Sequence, residues 1–243
     1  MYRYRRYRFF CNGLDTMSDR SLVVEKSTSL VVWLHGLGDT PDGWFAQCRS
    51  FARKLPNTSF FCPCAPIAPV SCNGGSRMTS WMDLLEIPIK PTSPDNGKFQ
   101  EESIKKICDF IDEKRKSLGG LSASRVVVAG FSQGAALALA VASRYEEPLK
   151  GCVVLSGWAL PHQHIGSKLK KRRDVSSETK FFVGHGESDS VVMTSCGTNV
   201  NAILSQCGCK PTFKTYPGMA HSSCPEEMRD VLKFFSECFA SSS

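Results

Sequence analysis

No stretch of this 243-residue chain approaches the roughly eighteen consecutive apolar residues of a membrane-spanning helix, and the N-terminus has no apolar signal core. An intracellular, cytoplasmic protein is expected. Metal-ligand spacing is missing too. The Cys-x-Cys pairs Cys62/Cys64 and Cys207/Cys209 lack the companion Cys or His pair of a zinc site, so no metal is expected. No nucleic-acid-binding module is present, and nucleic acid is not an expected partner. No repeat, composition break or linker interrupts residues 22–240. The expected organisation is a disordered basic tail over residues 1–20 and one domain over residues 21–243. Histidine is scarce, with five residues, which narrows the choice of a catalytic base.

Cysteine, by contrast, is plentiful. A disulfide scaffold belongs to small secreted chains, so the twelve cysteines read mainly as small buried hydrophobes. The charge of +7 is uneven: Arg3, Arg5, Arg6 and Arg8 crowd the start, and Lys168, Lys170, Lys171, Arg172 and Arg173 form a later run. These clusters read first as a solvated tail and a solvated loop. Their functional alternative is weak, peripheral contact with anionic membrane surfaces or acidic partners.

From Leu22 onward, short apolar runs alternate with longer amphipathic ones, the rhythm of an α/β domain. Strands are expected at 22–24, 30–34, 59–62, 125–129, 151–155, 180–183 and 212–216. Most are continuously apolar, as buried parallel strands are. Helices are expected over 43–55, 99–118 and from Pro225, where Met228, Val231, Leu232, Phe235, Cys238 and Phe239 share one stripe. Two segments, 64–98 and 158–178, read as long loops. Loops of that length in a compact domain are usually functional, and sites in parallel sheets lie at the carboxyl ends of strands. Met78, Trp81, Met82, Leu84, Leu85, Trp158 and Leu160 give these loops an apolar content fit to line a groove, with simple packing as the alternative.

The chemistry centres on Val126 to Ala142. A β-branched run ends at Gly130, Ser132 sits between Gly130 and Gly134, and an alanine-rich helix follows. Strand, sharp turn and helix in that order make Gly-x-Ser-x-Gly a nucleophile elbow, with the serine hydroxyl exposed. A serine nucleophile needs a base and an orienting acid, which follow in the order Ser, Asp/Glu, His on this kind of scaffold. His221 occupies the slot between the last strand and the last helix. Glu187 and Asp189, after the strand at 180–183, are both candidates for the acid. The oxyanion hole requires the backbone N–H of Gln133, which follows the serine, and one from the loop His35-Gly36-Leu37-Gly38-Asp39, assigned to Leu37. His35 is expected to brace that loop.

Four segments then align with a known pattern: LHGLGD at 34–39, GFSQG at 130–134, HGESDSVV at 185–192 and GMAHSSCPEEM at 218–228. Together they resemble the acyl-protein thioesterase and carboxylesterase family of α/β-hydrolases, also described as lysophospholipase-like, over residues 22–240. The resemblance implies an α/β-hydrolase fold with a mostly parallel central sheet and helices on both faces. It also implies the triad Ser132, Asp189 and His221, choosing Asp189 over Glu187, and no cofactor. The implied function is a serine hydrolase that removes palmitate-like chains from S-acylated proteins. The enzymatic alternative is a carboxylesterase or lysophospholipase acting on small lipid esters. A non-catalytic binding protein on this fold would be expected to lack one of the three triad residues. Departures from the family pattern, at Glu187, Ser190, Cys64, Met82 and around 156–161, border the expected acyl groove and bear on substrate choice.

Overall fold

Alternation along the buried strands decides which side chain meets which layer. The computed structural model describes residues 18–240, and Arg3, Arg5, Arg6 and Arg8 lie outside them. In chain order the strands are β1 (Asp19–Leu22), β2 (Ser29–Leu34), β3 (Thr58–Pro63), β4 (Ile67–Val70), β5 (Ser76–Thr79), β6 (Val126–Phe131), β7 (Gly151–Leu155), β8 (Lys180–Gly186) and β9 (Thr212–Tyr216). The helices are α1 (Pro41–Lys54), α2 (Gln100–Ser117), α3 (Gln133–Ala142), α4 (Ile165–Lys171), α5 (Arg173–Glu178), α6 (Thr194–Gln206) and α7 (Pro225–Phe239). A seven-stranded sheet has the order β1-β3-β2-β6-β7-β8-β9; β4 and β5 form a separate antiparallel pair. Only β1 runs antiparallel within the large sheet.

Along β2, Leu30, Val32 and Leu34 enter one core, which packs against α2, α3 and α6, while Val31 and Trp33 enter the other, against α1 and α7. The period of two thus distributes a continuously apolar strand between two helical layers. Trp33 forms the hub of the second core, with ring centroids 4.9 Å from Trp44 and 5.9 Å from Phe51. All parallel strands end on the same edge, and the loops there carry Ser132, Asp189 and His221.

Several sequence expectations change. The first strand is Asp19–Leu22 rather than 22–24, and the pairing Asp19↔Pro63 and Arg20↔Cys62 puts two residues of the expected tail into the sheet. Edge pairing is made by backbone groups, so this polar stretch carried no apolar signal. The segment 64–98 contains the β4–β5 hairpin, and 158–178 contains α4 and α5. The basic run is therefore largely helical. Arg172 donates to the Tyr145 and Glu146 carbonyls at 3.0 and 2.9 Å, and Lys168 donates to Gln163 at 3.0 Å, so these two cations are tied to the domain. No helix was expected at α6, whose buried face is Cys196, Gly197, Val200 and Leu204; a cysteine and a glycine make a weak amphipathic stripe.

Glu227, in the first turn of α7, is fully buried, and neither carboxylate oxygen has a partner among the described residues. Burial pushes its carboxyl from an ordinary 4.5 up to about 8, with the nearby Asp230 charge adding to the rise. The folded state therefore holds a proton that the unfolded state has already lost, and stability falls as pH rises from about 4.5 to about 8. Glu227→Gln removes this loss. Urea denaturation of both proteins should show the variant gaining stability over wild type between about pH 5 and about pH 9; a constant difference across that range would contradict it.

Candidate active site

The elbow exists because α3 approaches the ends of β2 and β6 closer than any side chain permits. A Cβ on Gly134 would lie 2.3 Å from the Leu34 carbonyl oxygen, and one on Gly130 would lie 2.4 Å from the Gly134 backbone. Ser132 pivots between them with φ 55° and ψ −122°. A non-glycine residue in that region costs on the order of 1–3 kcal/mol and must be held by its surroundings. Here the Ser132 N–H donates to the Leu155 carbonyl at 2.9 Å, while the Ser132 carbonyl accepts from Ala135 and Ala136, fixing the turn to β7 on one side and α3 on the other.

His221 lies in the turn between β9 and α7. Its Nε2 is 3.0 Å from Ser132 Oγ and its Nδ1 is 2.8 Å from Asp189 Oδ2. With the proton on Nδ1 donated to the carboxylate, Nε2 is free to accept the serine proton. The Phe131 ring lies 4.8 Å from the imidazole and limits its rotation. Asp189 is buried, and its other oxygen, Oδ1, accepts from the Val191 and Val192 N–H groups at 2.9 Å each. Burial alone would raise this carboxyl, but the hydrogen bonds from His221, Val192 and Val191 and the His221 charge outweigh it and hold Asp189 below its ordinary value. A charged, oriented acid is the result. Glu187 turns elsewhere, accepting from Thr215 Oγ1 at 2.7 Å on the surface.

Two other histidines brace the site. His35 Nδ1 donates to the Gly36 carbonyl at 2.7 Å while Nε2 accepts from the Ala65 N–H at 3.0 Å, and burial pushes its pKa down. A neutral ring thus holds the loop that carries Leu37. In that loop Gly38 N–H donates to the Thr79 carbonyl and Asp39 N–H to the Gly36 carbonyl. Among the described residues the Leu37 N–H has no such partner, and Gln133 N–H opens α3, where the first amides lack intrahelical acceptors. His185, packed behind Asp189, donates from Nε2 to the Val192 carbonyl at 2.8 Å and is kept neutral by burial. No sequence pattern assigns His185 a role; only the fold brings it behind the acid.

The groove candidates separate. Trp158 lines a cavity of about 470 Å³ that also contains Ser132 and His221. Trp81, Met82 and Leu160 do not line it: they are buried in the core, at 1%, 0% and 2% exposure. Met78 packs partly buried against the same core. Leu84 lines it with Trp158, and Leu85 is exposed outside it; the other walls come from Ile87 and Ile89 in the loop after β5, Val191 and Val192 after β8, and Trp44 and Phe131, with Gly36 and Gly43 beside them. The correction has a physical cause in the Gln133 side chain. Its amide nitrogen donates to the Met82 carbonyl and Ser80 Oγ at 2.7 and 3.0 Å, and its oxygen accepts from the Trp81 N–H at 2.8 Å. Trp81 and Met82 are pinned beneath the elbow, and Leu84, Ile87 and Ile89, further along the same loop, line the cavity. Among the described residues no group of three or more His, Cys, Asp and Glu side chains converges as a metal-ligand set.

A model of the phospholipase/carboxylesterase family matches residues 23–239. A probable carboxylesterase SOBER1-like of Arabidopsis thaliana is 32% identical over 97% of this chain and 89% of its own length. Acyl-protein thioesterase 1 of Candida albicans is 34% identical over 84% of this chain and 89% of its own. Among solved structures, Zea mays acyl-protein thioesterase 2 superposes with a TM-score of 0.79 at 27% identity, covering 91% of this chain and 99% of that one.

The geometry ranks the two acids. Asp189→Asn should lower kcat on the order of 10⁴-fold by leaving His221 in the wrong tautomer, whereas Glu187→Gln should stay within a few-fold of wild type. Hydrolysis of an aryl ester measures both, and the reverse ranking would move the acid to Glu187.

Proposed function

The chain belongs to the phospholipase/carboxylesterase family of α/β-hydrolases, and from that premise we propose that it is a serine hydrolase of long-chain acyl thioesters, acting on S-acylated protein cysteines. The observation that carries the reading is the chain Asp189–His221–Ser132, with contacts of 2.8 and 3.0 Å, ending at the foot of an apolar groove.

Ser132 Oγ attacks the thioester carbonyl while His221 Nε2 takes its proton and Asp189 stabilises the resulting imidazolium. The carbonyl oxygen becomes an oxyanion that accepts from the Leu37 and Gln133 N–H groups, a contribution on the order of 3 kcal/mol per donor. The C–S bond then breaks, the thiolate is protonated from His221, and the acyl group remains on Ser132. A parent thiol pKa of about 8.5 makes that departure easy. Water, deprotonated by His221, attacks the acyl-enzyme and releases the fatty acid. No step calls on a cofactor.

The groove supports the choice of a long chain. Its size falls within the roughly 300–1,000 Å³ of small-molecule sites, and apart from Asp39 and the polar edge of Ser132, His221, Ser222 and Ser223 its lining side chains are aliphatic or aromatic. Peripheral contact with membranes through the Arg-rich N-terminus belongs to the same reading, since such substrates reside there. Hydrolysis of lysophospholipids or other small lipid esters is the competing activity on the same groove.

Comparing kcat/KM for acyl-cysteine peptides, lysophospholipids and short aryl esters tests the proposal. Long-chain acyl-cysteine peptides should rank first, and each methylene accommodated by the groove should raise kcat/KM by roughly two- to fourfold. Ile87→Ser, at the groove mouth, should flatten that dependence while leaving a two-carbon acyl substrate unchanged. A clear preference for lysophospholipids, or no dependence on chain length, would overturn it.

A further inference from the structure

A second depression, of about 460 Å³, joins the catalytic groove at Ser223, which lines both. Its walls follow from helical spacing. Along α1, Gly43 and Trp44 line the catalytic groove, and Gln47, Ser50 and Phe51, one and two turns further on, line the second depression. Along α7, Met228 and Leu232 repeat at i and i+4 and face it. The two helices therefore form one trough that leads away from Ser132.

The direction of the trough matters for the chemistry. His221 must hand its proton to the departing atom, so the leaving group lies on the His221 side of the carbonyl. Chain continuity from His221 through Ser222 and Ser223 carries that side directly into the trough, whereas the aliphatic walls at Ile87, Ile89 and Val192 belong to the other arm. The lining suits a peptide. Phe51 is buried and Met228 and Leu232 are half-buried, giving an apolar floor. Among the described residues, the side chains of Gln47, Ser50 and Ser223 make no hydrogen bond within the protein, so their polar atoms are available to main-chain amides. A phosphodiester headgroup fits less well: the lining offers one cation, Arg229, and it is paired with Glu226 at 2.6 Å.

We propose that the trough between α1 and α7 is the binding site for the leaving-group side of the substrate, a peptide segment adjoining the acylated cysteine. The inference rests on the thioesterase reading above. From Trp44 to Phe51 the wall spans seven residues of helix, about 10 Å. That length accommodates about three residues of extended peptide.

The test compares two thioesters of one long-chain acid: one on the cysteine of a hexapeptide, the other on N-acetylcysteamine, which has no peptide to place. Wild type should hydrolyse the peptide thioester with the higher kcat/KM, and the free peptide should inhibit competitively. The double variant Gln47→Ala/Ser50→Ala should lower kcat/KM about tenfold for the peptide thioester and weaken that inhibition equally, while changing the small thioester less than twofold. Ser50→Trp, which fills the trough, should remove the peptide advantage. Both variants carry their own control for folding, since hydrolysis of the small thioester must persist. Wild type that cleaves both thioesters equally, or variants that lose both activities together, would overturn the trough and leave the thioesterase reading intact. Wild type that cleaves neither would overturn both.

Discussion

The reactive end of this molecule depends on one steric constraint, the contact of the α3 backbone with the end of β2 at Gly134. Because no Cβ intervenes between Gly134 and the Leu34 carbonyl, the helix starts directly beneath the sheet edge, and Ser132 is forced into its positive-φ turn above it. That single approach sets three things at once. It projects the hydroxyl toward His221, leaves the first amide of α3 facing the same space, and brings the Gln133 carboxamide into reach of Trp81 and Met82. The loop that runs on into the groove wall at Leu84, Ile87 and Ile89 is thereby fastened to the residue whose N–H is proposed to stabilise the oxyanion. Substrate shape and charge stabilisation share one anchor.

Electrostatics around the constraint are sorted by burial. Asp189 stays charged in an interior position because two backbone N–H groups and His221 all donate to it. His35 and His185 are equally enclosed, and burial keeps each of them neutral, for His185 even though its Nε2 lies 3.5 Å from Asp189 Oδ2. Three histidines near one candidate site thus differ in setting: two act as hydrogen-bonding struts, and His221, partly open to the groove, is the one proposed to move protons. The tight carboxylate contact belongs to the ring that also reaches the serine.

Much of this was legible in the sequence. Gly130, Ser132 and Gly134 announced the turn because only glycine tolerates such approaches, and the parallel strands announced themselves by unbroken apolar runs. His221 followed from its slot after the last strand. Choosing Asp189 over Glu187 needed the family resemblance, since the two lie two residues apart at one strand end; the fold separates them by burying one and turning the other to Thr215. The groove was legible only in part: Leu84 and Trp158 line it, whereas Trp81, Met82 and Leu160 are buried away from it. Trp81 and Met82 are held beneath the elbow by the Gln133 carboxamide, and Leu84, Ile87 and Ile89 line the cavity instead of them. Burial competes with ligand contact for the largest hydrophobes, and composition cannot say which wins. Likewise β1, paired through its backbone, and the struts His185 and Gln133 depend on tertiary neighbours that no local pattern encodes.

Whether Ser132 carries the acyl group between two half-reactions can be read by acid-quenching the enzyme within the first turnover of a long-chain acyl-cysteine peptide and mapping the adduct by mass spectrometry. One acyl group is expected, on the peptide containing Ser132, absent from Ser132→Ala. An acyl group found on another residue, or turnover by Ser132→Ala at the wild-type rate, would contradict it.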